Sequence, residues 1–368
     1  MKDVISFPKI GDYDIVFSYF LKKVTNIDVI PSPKITKKTI ELGEKNSPSE
    51  VCLPFKYTLG NLIESLDNGA TILFQAGGGC RYRYYAEVQE KILRDLGYKF
   101  KFVKLVSKGK YDIIGTYNIF KELNTKLTFK NFIYRGLISA LMINYMDKID
   151  NYIRENIGFE KDKNSFINLK KEMLKDFYNN KGIINLYRNY RKYKKKFKKI
   201  KIIKNNPIKI GIIGELYTAM EKSSTYNLEK KLANNNIEIK RFTNLSYLLW
   251  QKKFLIKKML KKTKKYCKYT LGADALDNIY RTLYLSKNHY DGIIHTKPFG
   301  CTPEISAIPI IKKICREKNM PIIFFSFDTE SEDGGIDTRL EAFFDLLKYR
   351  RKKDEKSISR NWYRFHFN

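Results

Sequence analysis

Strand-like and helix-like patterns alternate along this chain in two separate runs, and a strand-free stretch lies between them. In the first run, "IDVIPS" (27–32), "ATILF" (70–74) and "KFKFVKLV" (99–106) read as short apolar strands. Leu59, Leu62, Ile63 and Leu66 recur at helical spacing between the first two. Tyr84, Val88, Ile92 and Leu96 form a stripe over 81–96, with Gly97 as a C-terminal stop. The second run offers "IKIGIIG" (208–214), "IEIKRF" (237–242), "DGIIHTKPF" (291–299) and "PIIFFSF" (321–327) as strands. Helical patterns separate them over 226–235, 244–263, 271–286 and 303–318, and another follows over 337–350. Such alternation builds βαβ units and parallel sheets. The expected fold is therefore α/β, with two Rossmann-like (flavodoxin-like) parallel-sheet domains at 1–114 and 207–368. Residues 115–206, where Lys, Tyr, Asn and Leu dominate at helical spacing, form a helical subdomain inserted between them.

Charge narrows the function classes. The chain carries 71 Lys+Arg against 39 Asp+Glu, a net +32. Such a balance raises the question of nucleic acid. Lys is spread along most of the length, however, beside an abundance of Ile, Asn and Tyr. That points to a compositional bias of the whole chain, and nucleic acid is not the expected partner. Two denser runs, "YRKYKKKFKKIKIIK" (190–204) and "KKFLIKKMLKKTKK" (252–265), are either solvated faces or docking patches for an acidic partner. The opening "MKDVISFPKIGDYD" lacks the apolar run of a signal peptide, and no apolar stretch nears the roughly 18 residues of a membrane helix. A soluble cytoplasmic protein is expected. There is no GxxxxGK[ST], no CxxC and no HExxH, and "GIIGE" (211–215) is too poor in glycine for a dinucleotide fingerprint.

Five cysteines, an odd number in a chain read as cytosolic, argue against a disulfide framework. Three of them share a position. Cys52 precedes "LPFKYTLGNLIESL", Cys80 closes the turn "AGGGC" between a strand and a helix, and Cys301 follows a strand and Gly300. After Cys301, Thr302 can cap the next helix, with Pro303 in its first turn and Glu304 matched to its dipole. All three sulfurs are thus expected at helix N-termini, where free N–H groups and the macrodipole favour a thiolate. Gly77–Gly79 and Gly300 let backbone approach an anion closely. A phosphate, a nucleophilic thiol, a metal cluster and a simply buried small residue all remain open on this pattern. His295, near Cys301, falls inside a strand and reads equally as a buried core residue. Cys315 lies on the helical stripe Ile308, Ile311, Cys315 as a structural thiol, and Cys267 sits in "KKYCKYT" away from any strand end.

With these turns in view, the chain resembles the D-component-type proteins related to 2-hydroxyacyl-CoA dehydratases and their activase-related kin. The segments that carry the resemblance are "FPKIGDYDIVF" (7–17), "PSPKITKKTIELG" (31–43), "CLPFKYTLGNLIE" (52–64) and "AGGGCRYRYYAEVQEKILRDLGY" (76–98). "IGIIGELY" (210–217), "PFGCTPEISA" (298–307) and "FSFDTESEDGGIDTRLEAFFDLL" (325–347) continue it in order. The family turn reads Gly-Pro-Cys-Arg-aromatic-Gly-x-Tyr. Here Gly79 replaces the Pro and Arg83 the second Gly, while Cys80, Arg81 and Tyr85 are kept. The resemblance implies a [4Fe-4S] cluster on Cys52, Cys80 and Cys301, its fourth iron left open or otherwise ligated. It also implies an ATP-dependent activator that supplies a low-potential electron, an acyl-CoA-like substrate, and a homo- or heterodimeric partner subunit. Lys56, Gly78, Gly79, Arg81, Lys297, Glu304 and Asp328 stand beside the ligand positions as cluster or substrate neighbours. No residue set identifies a catalytic group. A cluster-bearing electron carrier or scaffold is the second reading, and a basic nucleic-acid-binding protein the third.

Overall fold

The structure is a computed structural model that describes residues 2–77, 80–105, 112–329, 331 and 333–366, the stretch 354–366 by its backbone alone. The first unit runs β1 (Val4–Ser6), α1 (Asp14–Thr25), β2 (Asp28–Val29), α2 (Lys37–Asn46), α3 (Leu53–Asp67), β3 (Ile72–Gln75), α4 (Tyr85–Asp95), β4 (Lys101–Lys104) and α5 (Ile113–Leu123). Three helices follow, α6 (Phe129–Asn156), α7 (Ser165–Tyr178) and α8 (Ile183–Lys199). The last unit runs β5 (Ile208–Gly214), α9 (Leu216–Met220), α10 (Leu228–Asn234), β6 (Ile237–Arg241), α11 (Lys252–Thr263), α12 (Ala275–Lys287), β7 (Gly292–Pro298), α13 (Thr302–Glu317), β8 (Ile322–Phe327) and α14 (Asp333–His366).

Each unit holds a four-stranded, all-parallel sheet, in the orders β2-β1-β3-β4 and β6-β5-β7-β8. Two Rossmann-like units with helices between them are what the alternation predicts. Strands buried on both faces read as unbroken apolar runs, and β7 is buried at every position. In both orders the first and third strands of the unit are neighbours. The crevices at the carboxyl ends of β1/β3 and β5/β7 are therefore the switch points where such sheets receive ligands.

α3 lies between the two units. Phe55, Leu59, Leu62 and Ile63 pack with Leu73 and Leu93 of the first unit. Leu53 and Tyr57 pack with Ile210, Ile212, Phe325 and Phe327 of the last. A fully buried Leu or Phe contributes about 1.5–3 kcal/mol, so the turn that starts this helix is held from both sides. α2 crosses α3 closely: a Cβ on Gly43 would stand 1.9 Å from the Lys56 carbonyl oxygen, and one on Gly60 1.9 Å from that of Thr39. The middle helices are not free-standing. Their core, with Ile138, Met142 and Phe177, also takes in Tyr13 and Val16 of α1 and its flank, and Met220 and Leu245 of the last unit. The Asp147 carboxylate of α6 accepts from the Tyr13 hydroxyl and from Ser246 N–H at 2.8 Å. The Tyr13 hydroxyl oxygen in turn accepts from Leu245 N–H at 3.2 Å. One buried carboxylate thus ties all three parts.

Some expectations are corrected. The buried stripe of α4 is Tyr85, Ala86, Gln89 and Leu93, while Tyr84, Val88 and Leu96 are exposed. The apolar reading missed Gln89, whose amide joins Gln75 (2.9 Å) and the Thr58 hydroxyl (2.7 Å) inside the core. Cys301, and not Thr302, is the N-cap of α13. α14 begins at Asp333, ahead of the expected start. α5 packs Phe120 into the first unit's core.

Candidate functional site

The chain places Cys52, Cys80 and Cys301 at comparable points. Cys52 is the N-cap of α3, Cys80 the N-cap of a short 3-10 turn (Arg81–Tyr84) that leads into α4, and Cys301 the N-cap of α13. All three thiols are free and half-buried, and none makes a side-chain cap hydrogen bond to its own helix. The turn at Cys301 depends on Gly300, whose φ of 71° is a left-handed conformation that favours glycine. Cys80 lies within electrostatic reach of both Cys52 and Cys301. Two strand ends and one shared helix therefore bring three sulfurs from both units together.

Burial dominates the chemistry of these thiols. It raises the pKa of Cys52, pushes Cys80 up to about 11 and lifts Cys301 far above the ordinary thiol range. The N–H groups of Phe55, Tyr82 and Glu304 work in the opposite direction on Cys52, Cys80 and Cys301 respectively. Left alone, the sulfurs are neutral thiols. A metal centre would hold them as thiolates, since coordination deprotonates a thiol outright.

Around them stand groups of two kinds. An aromatic wall comes from "CRYRYY": Tyr82 stacks on Tyr85 (centroids 4.3 Å apart), and Tyr85 meets Phe55 edge-on at 5.0 Å. The Tyr85 hydroxyl touches Cys52 Sγ. Carboxylates come from the last unit. Glu215 directly follows β5 at the switch point, accepting from Tyr217 N–H and Thr218 N–H, each at 3.0 Å. Its charge reaches Cys52, Cys80 and Cys301. Burial pushes its own pKa up to about 7, with Asp274 and Glu304 adding to the rise.

The expected neighbours divide. Lys297 is buried beside Cys301 and donates to Ser326 Oγ at 3.0 Å; desolvation lowers its pKa, while Cys301 and Glu304 oppose the fall. Lys56 is buried but pairs with Glu44 at 2.6 Å, so its charge is matched locally. Glu304 turns inward, its carboxylate held by Asn278 Nδ2 (2.9 Å to each oxygen) and by His295 Nε2 (2.7 Å). Arg81 is exposed. Asp328 accepts from the Ser331 hydroxyl at 2.9 Å and, with Lys56, lines a cavity of 120 Å³. Val51 and Leu53 flank that cavity on the Cys52 side, and Phe299 and Gly300 on the Cys301 side. Gly78 and Gly79 lie outside the described residues. His295 is fully buried, Cys315 packs in the core, and Cys267, also in that core, donates its Sγ–H to Tyr269 O at 3.0 Å.

Glu215 and Asp274 escaped the sequence reading. "GIIGE" is too poor in glycine for a dinucleotide fingerprint, and no motif marks its Glu. The signal that finds Glu215 is an acidic residue directly after the strand that borders the switch point. Among the described residues, no three His, Cys, Asp or Glu side chains close round a single metal ion. The donor set is instead three separate thiols, the ligand type that suits iron–sulfur clusters. Their free, half-buried state and the Glu215 charge that reaches all three are compatible with such a group. No helix among the described residues is long and apolar enough to cross a membrane.

Residues 251–347 match the family model described as 2-hydroxyglutaryl-CoA dehydratase, D-component. The matched stretch takes in α11 through the start of α14, including Cys301, Lys297 and Glu304, while Cys52 and Cys80 precede it. No curated protein matches the chain.

Proposed function

From the D-component-like family of residues 251–347, we propose that this chain is an iron–sulfur component of a 2-hydroxyacyl-CoA dehydratase-type system. In this reading Cys52, Cys80 and Cys301 hold a [4Fe-4S] cluster, and the chain accepts a low-potential electron from an ATP-dependent activator. The observation that supports the reading is the placement of three free thiols, drawn from both α/β units, at helix N-caps within the electrostatic reach of one carboxylate, Glu215. Bound there, the cluster would supply one-electron chemistry and one iron that no protein thiolate holds.

The surrounding residues have definite tasks. The N–H groups of Phe55, Tyr82 and Glu304 favour anionic sulfur. Tyr82, Tyr85 and Phe55 shield the Cys52 side from water. Lys297 offers a buried positive charge next to Cys301. Glu215 is poised to hold or release a proton near neutral pH.

The test is anaerobic expression followed by iron and sulfide analysis and electron paramagnetic resonance. The wild-type chain should carry cluster iron, and the Cys52→Ala/Cys80→Ala double variant should lose it. Full iron and sulfide in that double variant would sink the proposal. A second reading, an electron carrier without substrate, is favoured by the cavity beside the cysteines. At 120 Å³ it falls below the roughly 300–1,000 Å³ of small-molecule pockets. Saturable binding of an acyl-CoA that perturbs the cluster's resonance would decide against the carrier.

A further inference from the structure

The two α/β units repeat one plan, and the repeat assigns a fourth position to the site. Each sheet has the same strand order, and in each unit two helical segments lead from the second strand to the third and one helix from the third to the fourth. α3 therefore corresponds to α12, since both lead into the third strand of their unit. The turn after β3 corresponds to the turn after β7. In the first unit these two positions are the N-caps Cys52 and Cys80. In the last unit they are the N-caps Asp274 and Cys301. Three of the four equivalent places hold a thiol and the fourth holds a carboxylate.

Asp274 behaves unlike an ordinary capping aspartate. Asp at an N-cap normally accepts from the second or third N–H of its own helix. Asp274 makes no such bond. It is 2% exposed, and its carboxylate reaches across the crevice, accepting from Leu216 N–H (3.2 Å), the neighbour of Glu215, and from Lys252 Nζ (2.9 Å). Its charge is felt at Cys80. The oxygen on Lys252 is also replaceable, because Lys252 has a second anionic partner in Asp277 at 3.0 Å. Asp274 can therefore turn away from Lys252 without leaving a buried cation unpaired.

We infer that Asp274 is the fourth protein ligand of the site, a carboxylate completing a set with Cys52, Cys80 and Cys301. This rests on the cluster reading proposed above. Three thiolates leave one iron without a protein sulfur, and the two-unit repeat puts a carboxylate, an acceptable hard ligand for iron, at the remaining equivalent point. The iron so held would be the exchangeable one, since a carboxylate gives way to an incoming oxygen or anion more readily than a thiolate.

The test compares wild type with Asp274→Ala, Asp274→Ser and Asp274→Cys after anaerobic reconstitution with iron and sulfide. Folding is checked by circular dichroism, and Ser, which keeps a capping oxygen, stands in where Ala does not fold. Treatment with ferricyanide should strip the Ala or Ser variant from about four irons to about three, with a [3Fe-4S] resonance, while wild type loses iron more slowly and the Cys variant slowest. Cyanide should shift the reduced resonance of the Ala or Ser variant at lower concentration than that of wild type. Equal iron loss and equal cyanide response in wild type and the Ala or Ser variant would overturn the assignment with the cluster reading intact. Wild type that takes up no cluster would overturn both.

Discussion

Glu304 offers the sharpest test of how the Cys301 turn is held. Its carboxylate accepts three buried hydrogen bonds, two from Asn278 Nδ2 and one shared with His295 Nε2. Glu304→Ala removes every one. Asn278 Nδ2 keeps only the Gly214 carbonyl at 3.1 Å, and His295, whose Nδ1 has no partner, is left without any for its ring. A buried polar group stripped of its partner costs about 1–3 kcal/mol. Two such groups give about 2–6 kcal/mol, a large part of the roughly 5–15 kcal/mol a folded protein has in all. Glu304→Gln separates the bonds from the charge. Its carbonyl oxygen can still face Asn278 and its amide can donate to a neutral His295, so the loss should stay under about 1.5 kcal/mol. Urea unfolding followed by circular dichroism measures both, and cluster iron measured on the same samples shows whether the Cys301 turn moved. An Ala variant within about 0.5 kcal/mol of wild type, the scatter of ordinary surface changes, would refute this account of the network.

Three further outcomes follow from the same structure. In cluster-free protein at neutral pH, iodoacetamide should alkylate Cys80 about 100-fold more slowly than a free thiol, because burial pushes its pKa up to about 11 from the ordinary thiol value of 9.0; peptide mass spectrometry showing a free-thiol rate would contradict this. Glu215 has a folded pKa raised from 4.5 to about 7, so the folded state binds the proton more tightly and stability should fall as pH rises from 4.5 to 7, by about 3 kcal/mol at most. Glu215→Gln should flatten that part of the pH–stability curve, and an unchanged slope would exclude Glu215 as its source. Gly60→Ala places a methyl 1.9 Å from the Thr39 carbonyl oxygen. It should force α2 and α3 apart and cost about 3 kcal/mol or more, read as a lowered melting temperature; a wild-type value would mean the crossing is looser than the structure has it.

Much of this architecture is legible in the sequence because parallel strands and their helices write different periods. "IKIGIIG" coincides with β5, and the stripe Leu59, Leu62, Ile63, Leu66 falls inside α3. Cys80 and Cys301 are legible for the same reason, since a strand-to-helix boundary predicts a helix N-terminus, while Cys52, between two helices, is legible from the helical pattern and the Pro54 that follow it. What stayed hidden depends on side chains that pair at a distance. The buried face of α4 turns on Gln89, which counts as polar until Gln75 and Thr58 are known to meet it. Glu304 looked like a dipole match beside a ligand, but Asn278 and His295 draw its carboxylate inward. Lys56 reads as a neighbour of Cys52 in the sequence, and its pairing with Glu44 at 2.6 Å is visible only in the fold. Gly43 and Gly60 gave no periodic signal, yet they allow the helix crossing that sets α3 between the two units.

The charges that do reach the cysteines bear on the proposed function. Lys56 is matched by Glu44, so the buried cation left at the cysteines among the candidate residues is Lys297, and its own pKa is depressed by desolvation. Against it stand Glu215, which acts on all three thiols, and Glu304 on Cys301, while Asp274, which acts on Cys80, is itself paired with Lys252 at 2.9 Å. Anionic surroundings disfavour the addition of an electron, so a cluster held here would have a lowered reduction potential. Under the proposed function, such a potential would suit a component that takes its electron from an ATP-dependent activator. It also gives Glu215 a second use. Its pKa near 7 would rise further as negative charge entered the site, so this residue would take up a proton as the electron arrives. Replacing Glu215 with Gln should therefore raise the potential and weaken its dependence on pH around neutrality. A potential that keeps the wild-type value and the wild-type pH dependence would place the carboxylate outside the electron's field.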